Sequence, residues 1–439
     1  MMEFSQAVLL AVKIAGPSIN GPDSWALRLL TWLRSAGIDA RAAVLLDEIA
    51  DENTDLVLLL KQAQVPIMMT RSVNMRADTE WFMAQVAAFR PGLFIANYYP
   101  AALYAAMNLR KVGIRSAMVI HSDDPYYYKL IDAFVIAPEQ AAVDVLVPVS
   151  AFLHEKLKPT LEGRVKMVRI AYGAPRAQAT AQWDDGDLQL LYVGRMSLFQ
   201  KRADEVAKAL CLACERIPGV RARMVGDGAD RGEVEQILRT RDGGKKVEFV
   251  GGLPSPEVLK ILPAAHVMVL LSDFEGIPIS LMEGMAAGLV PVVTPIRSGI
   301  PELVLDGETG LIVADRSEAF VEAIRQLRED RTLWRQMSAA AHAHYLQGFS
   351  PEKIVDFWVE QIGDSPAPFT VPKDLHLPVS SWVDFWVDRS MATGIASYRL
   401  ILQKWIWITW GKLPERWRSR ARSFAKRLLA LVRTKSPAT

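Results

Sequence analysis

Short runs rich in valine, isoleucine and leucine recur along this chain at intervals about one helix long, and the segments between them carry helical periodicity. No other feature constrains the fold as much. Strands separated by helices run parallel, so the chain must build parallel sheets with helices on both faces. In the first half, 7–14, 40–46, 65–69, 92–97, 116–120, 145–149 and 165–170 read as strands. Between the first two, "PDSWALRLLTWLRSAG" sets Trp25, Leu29, Trp32 and Leu33 on one helix face, with Gly37 as the stop.

After "YGAP" comes "RAQATAQWDDGD", polar and acidic without apolar periodicity, which reads as a linker over 176–187. A second alternating series follows, with strands at 188–193, 220–225, 246–250, 267–271 and 290–293 and helices at 203–216, 230–240, 256–262 and 279–287. The pattern is helical throughout from 317 to 363, then breaks at "DSPAPFTVPKDLHLP", four prolines in fifteen residues. At 439 residues the chain exceeds the size at which one hydrophobic core stops growing. The expected division is a domain over 1–175, the linker, a second domain over 188–350, a closing helix at 351–363 and a separate appendage over 364–439. Two doubly wound α/β domains of similar size imply a central cleft at the carboxyl ends of their strands.

Three segments place chemistry at those ends. "YVGRMSLFQKR" puts Gly194 and Arg195 after a strand and Lys201 before a helix, an arrangement that suits a phosphate and equally a solvated basic turn. "MVGDGAD" follows the next strand with Gly226, Asp227 and Gly228, a turn that brings backbone close to a ligand. "FEGIPISLMEGMAAG" holds Glu275 before a helix and Glu283 within it. Eight residues apart, the two lie about 12 Å from one another along a helix axis and about 80° around it, so they cannot share a proton as an acid–base dyad. Glu275 is placed to accept from hydroxyls, and the amides of Gly276, Ile277, Pro278 and Ile279 form the strand-to-helix turn, where those with an N–H face an anion. Such an arrangement reads a polyol phosphate.

The run "SDFEGIPISLMEGMAAGLVPVVTPIRSGIPELVLDGETGLIV" resembles the signature of the family 4 retaining glycosyltransferases, whose two-domain fold is called GT-B. The pair of glutamates with seven residues between them, the "GR…K" segment and the "VGDG" turn stand in that family's order, and the resemblance spans 188–346, more loosely 7–174. It implies a nucleotide-sugar donor, UDP- or GDP-linked, held by the second domain, with no permanently bound cofactor and no metal. It implies that Arg195 and Lys201 bind the donor diphosphate and that Glu275 accepts from the transferred sugar, with help from the 276–279 amides. Glu283 then takes the ribose hydroxyls. In the first domain, "MVIHSDDPYYY" puts His121 at a strand end, where the family has a sugar-contacting histidine. Asp123 and Asp124 are acceptor contacts or helix-capping acids before Pro125. The loop "GPSINGPDSW" corresponds loosely to the family's glycine-rich loop, with Gly21 carried over and Pro22 and Asp23 departing from the usual pattern. The implied activity is retaining transfer of a sugar, a hexose or a relative of one, to a glycan or lipid-linked acceptor in cell-envelope polysaccharide or glycolipid synthesis. A nucleotide-sugar epimerase on the same fold, or a non-catalytic binding subunit, stays open.

The formal net charge of +2 conceals a basic tail, since 412–435 carries nine Lys or Arg against one acid, Glu415. There Trp417, Ala421, Phe424, Leu428 and Leu431 follow helical spacing among the cations, the pattern of an amphipathic helix on an anionic membrane, or packed on the first domain or a partner chain. No nucleic-acid module is recognisable. The opening "MMEFSQAVLLAVKIAG" lacks a basic region before its apolar run and reads as a first strand rather than a signal peptide. No stretch approaches about 18 uninterrupted apolar residues. A cytoplasmic protein, peripheral on the inner face of the membrane, is the expectation. The two cysteines, Cys211 and Cys214, have no second CxxC or nearby histidine to complete a metal site and read as small buried helix residues.

Overall fold

The computed structural model describes residues 6–16, 19–47, 50–371 and 375, so the basic stretch 412–435 lies outside the described residues. Seven parallel strands form the first sheet: β1 (Ala7–Ile14), β2 (Asp39–Leu46), β3 (Ile67–Arg71), β4 (Leu93–Asn97), β5 (Ser116–Ile120), β6 (Val145–Pro148) and β7 (Lys166–Met167). Their order is β3-β2-β1-β4-β5-β6-β7. The connecting helices are α1 (Gly21–Ser35), α2 (Asp55–Gln62), α3 (Met75–Phe89), α4 (Pro100–Leu109), α5 (Pro125–Ile131) and α6 (Ala151–Leu161). Every residue of β4 and β5 is buried, as expected for strands covered by helices on both faces. The strand expected over 165–170 is regular for two residues only. Val168 and Ile170 still donate backbone bonds to β6, but at the sheet edge no further strand among the described residues holds them in a ladder.

The second sheet contains β8 (Leu188–Val193), β9 (Val220–Val225), β10 (Val247–Gly251), β11 (Val267–Leu270), β12 (Val290–Val293) and β13 (Leu311–Ile312), in the order β10-β9-β8-β11-β12-β13. Its helices are α7 (Ala203–Arg216), α8 (Arg231–Thr240), α9 (Ser255–Ile261), α10 (Ile279–Ala286), α11 (Ile300–Leu303), α12 (Glu318–Glu329), α13 (Arg331–Gly348) and α14 (Pro351–Val359). The continuous helical pattern expected over 317–363 is thus three helices. Asp330 accepts from the Leu333 amide to start α13, and Ser350-Pro351 opens α14.

Strand order reverses between β1 and β4 in one sheet and between β8 and β11 in the other. Such reversals open a crevice at the strands' carboxyl ends, where the flanking loops part to opposite faces. The ends of the second series also tie back to the first. α14 brings Trp358 within 6.1 Å of Trp25 on α1, and Gly92 accommodates the Gly363 carbonyl where a Cβ would lie 2.2 Å away. Residues 176–187 are less free than their polar composition suggests, because Trp183 is 1% exposed, stacked on His266 and edge-on to Trp334.

Candidate functional site

In the second domain, the loops after β8 and β11 lie side by side. Gln200 joins them: its backbone carbonyl accepts from the Asp273 amide at 3.0 Å, and its side-chain amide donates to the Phe274 carbonyl at 3.2 Å. The next residue, Lys201, donates from Nζ to Glu275 Oε1 at 2.7 Å, with the two side chains 12% and 6% exposed. A pair so enclosed persists only with good geometry, since each partner has lost most of its water. Arg195 donates to Gln200 Oε1 at 2.8 Å, and its carbonyl accepts from the Tyr192 hydroxyl. Arg202 adopts a left-handed backbone (φ 49°) at the start of α7, a conformation that costs a non-glycine residue free energy and accumulates at functional turns.

The "VGDG" turn fits against this pair of loops. Gly226 has φ 144°, and a Cβ there would stand 1.8 Å from the Gly194 carbonyl oxygen; one on Gly228 would stand 2.4 Å from that of Met196. Asp227 lies to the outside, within 3.4 Å of Arg231. Glycine is required here so that the strand-end turns of β8 and β9 can adjoin. α10 begins at Ile279 with Pro278 as its N-cap, so no side chain caps its first amides.

The first-domain half centres on His121, immediately after β5 and 4% exposed. Nε2 lies 2.7 Å from Asn97 Oδ1 and must donate to it, since that oxygen can only accept. Nδ1, 2.8 Å from the Tyr172 hydroxyl, then accepts from it in the neutral ring. Burial holds the imidazole far below the usual histidine range, at about 3. Trp25 and Tyr98 pack edge-on against it, with centroids 5.0 and 5.1 Å away. Both ring nitrogens are thus taken by protein partners. Gly21 opens α1 with free space where a Cβ would be. Asn20 and Asp23 form a reciprocal capping box there, and Asp23 is 6% exposed with its pKa raised by burial.

The two halves meet. A Cβ on Gly276 would lie 3.0 Å from the His121 carbonyl oxygen, so the β11 loop rests directly against the end of β5. Arg28, on α1, pairs with Glu283 of α10 and reaches Ser255 Oγ at 3.3 Å. Glu302 pairs with Arg169 and accepts from the Ala151 amide at 3.0 Å, so an acid of the second domain caps α6 of the first. The expected residues Gly194, Arg195, Lys201, Gly226, Gly228, Glu275 and Gly276 therefore gather on one side of the cleft, with His121 opposite. Asp124 caps α5 through the Tyr126 amide, while Asp123 pairs with Lys156 and accepts from Tyr128. Arg28, Asn97, Tyr172 and Gln200 were not anticipated from sequence.

Cys211 and Cys214 are buried in α7 with their thiols pushed up to about 11 and about 12 by desolvation. Among the described residues, no group of three His, Cys, Asp or Glu could hold a metal, and no helix is long and apolar enough to cross a membrane.

Two wound parallel sheets meeting at their switch points, with α14 crossing back, define a GT-B fold. Solved structures share it. Anabaena HepE in complex with UDP superposes with a TM-score of 0.65 at 16% identity, covering 80% of this chain and 98% of that one. The apo form of WaaB, a lipopolysaccharide outer core galactosyltransferase, gives a TM-score of 0.62 at 16% identity, covering 81% and 99%. Residues 175–344 match the family described as glycosyl transferases group 1. WcaL of Escherichia coli, named for colanic acid biosynthesis, is 31% identical over 256 residues, which cover 53% of this chain and 60%, less than two thirds, of that relative.

Proposed function

We propose that the protein is a retaining glycosyltransferase that moves a sugar from a nucleotide-sugar donor to a glycan or lipid-linked acceptor in cell-envelope polysaccharide synthesis. The observation that carries this reading is the Lys201–Glu275 pair at the second domain's switch point. A cation for phosphate and a carboxylate for hydroxyls stand there in direct contact, opposite the end of β5. The family match over 175–344 supports the reaction class, and the names of WcaL and WaaB support the envelope setting. A UDP-linked donor is the first to try, because HepE is seen in complex with UDP.

In this reaction the bond between the sugar's anomeric carbon and the diphosphate oxygen breaks, and the acceptor hydroxyl oxygen bonds to that carbon. The acceptor's proton leaves with the nucleoside diphosphate. Lys201 and Arg195 stabilise the negative charge that develops on the departing oxygen, assisted by the uncapped amides at the start of α10. Glu275 orients the sugar through its hydroxyls, and Glu283 takes the ribose. His121 contributes as a neutral group that shapes the wall under the sugar.

The test is transfer from UDP- and GDP-sugars by wild-type protein, Glu275→Ala and Arg195→Ala. Loss of transfer in both variants, each still folded by circular dichroism at the assay temperature, supports the assignment, whereas undiminished turnover in either removes it. Conversion of donor to an epimer without acceptor would move the protein to another reaction class. The basic stretch 412–435 supports attachment to anionic membrane. Deleting 412–439 should release the protein from phosphatidylglycerol vesicles, and equal vesicle binding by the truncated chain would end that proposal.

A further inference from the structure

The Arg28–Glu283 pair has a feature that a simple domain latch does not need. Arg28 is 16% exposed; its Nη2 serves Glu283 and Ser255, while its Nη1 is buried without a hydrogen-bond partner. Glu283, 8% exposed, gives one oxygen, Oε1, to this contact. A buried guanidinium N–H left unpaired is costly, and native proteins leave few of them. Position adds to this. Arg28 lies on α1, which follows β1 at the first sheet's crevice, and Glu283 on α10, which follows β11 at the second's, so the guanidinium joins helices that flank both crevices and reaches Ser255 at the start of α9.

We propose that Arg28 is a donor-binding residue supplied by the opposite domain. It holds Glu283 in place with Nη2 and offers Nη1 to the ribose diol of the nucleotide. This rests on the reading of Glu283 as the ribose-binding acid. A vicinal diol suits such a pair, because each hydroxyl donates one proton to a carboxylate and accepts from a guanidinium at the same time. The nucleotide pocket is then complete only when the two domains are together.

The test is calorimetric titration of the full chain with UDP, GDP and their 2′,3′-dideoxy counterparts. The wild type should bind one ribonucleotide at least about tenfold more tightly than its dideoxy form, the scale of one charge-assisted hydrogen bond. In Arg28→Ala that ratio should fall to about one to three, with dideoxy affinity within about twofold of wild type. Arg28→Met, which fills similar volume, carries the same test should the alanine variant not fold. A wild-type ratio in the folded variant overturns the proposal and leaves the Glu283 reading standing, as does tighter ribonucleotide binding, the mark of a latch that competes with ligand. A ratio near one in the wild type, or binding of neither nucleotide, overturns both.

Discussion

The protonation of His121 can be tested quantitatively. Its pKa is lowered from 6.5 to about 3 by burial, so the folded ring stays neutral where the unfolded one becomes charged. Between these values the unfolded state binds the extra proton, and stability must fall as pH falls. The contribution is present above the unfolded value and is lost progressively down toward the folded one. At pH 7 the unfolded ring is about a quarter protonated; at pH 5 it is almost wholly so, and the term between the two amounts to about 2 kcal/mol. His266, lowered to about 4, behaves similarly, which is why the comparison must be made against a His121 variant and not against zero.

His121→Gln removes the titration and keeps one donor and one acceptor for Asn97 and Tyr172. Urea unfolding followed by tryptophan fluorescence at pH 7, 6 and 5 gives the comparison. The wild type should lose about 2 kcal/mol more than the variant over that span, whatever the variant's starting stability. Parallel curves would mean that folded His121 titrates near 6.5, and the neutral, doubly hydrogen-bonded ring would be wrong. The same chemistry sets an expectation for catalysis: with no proton to exchange near neutrality, His121 should contribute no limb near 6.5 to the pH dependence of kcat/KM.

Gly226→Ala drives a Cβ into the Gly194 carbonyl and should cost about 2–4 kcal/mol together with nucleotide affinity; thermal melting and calorimetry read both, and a stable, ligand-competent variant would refute the close approach of the two turns. Trp183→Ala removes the apolar anchor of 176–187 and should cost about 3–5 kcal/mol in urea unfolding, whereas a change under about 1 kcal/mol would show that segment to be a free tether. Native protein at pH 8 should leave Cys211 and Cys214 unreactive toward a disulfide reagent until it unfolds, since their thiols are held up to about 11 and about 12; prompt labelling of the folded chain would contradict the burial.

Features encoded within a short window were legible in the sequence. β1, β5, β8, β9 and β12 fall where the sequence pattern predicts them: β5 and β12 are buried throughout, as strands covered on both faces must be, while β9 alternates, with Arg221 exposed between Val220 and Ala222. Lys201 and Glu275 were legible as candidates because each flanks a strand end. Their contact was not, since nothing local says which strand ends are neighbours until the sheet order is known. Arg28 is the sharper case. Within "WALRLL" it reads as one cation on the polar side of a helix, and its partner lies 255 residues away. The edge strands β7 and β13, two residues each, are made by pairing rather than by propensity. Trp183 was hidden for the converse reason: a single anchor in a polar segment has no periodicity to reveal it.

The placement of charge across the cleft also bears on how firmly the domains hold together. Arg28–Glu283 and Arg169–Glu302 join the two sheets' systems through side chains at most 25% exposed, and burial raises the pKa of Glu302 against the pull of Arg169. Pairs of this kind recover little more than their own desolvation cost, so they specify one closed arrangement without making it deep. A nucleotide that satisfies Arg28 Nη1 while leaving the Glu283 contact intact would bind the closed state better than an open one. By that differential it would shift the population toward closure. Arg28→Ala should then weaken nucleotide-induced compaction in small-angle scattering as well as ribose discrimination. A variant that compacts like the wild type on adding UDP or GDP would show that closure is driven from elsewhere in the cleft.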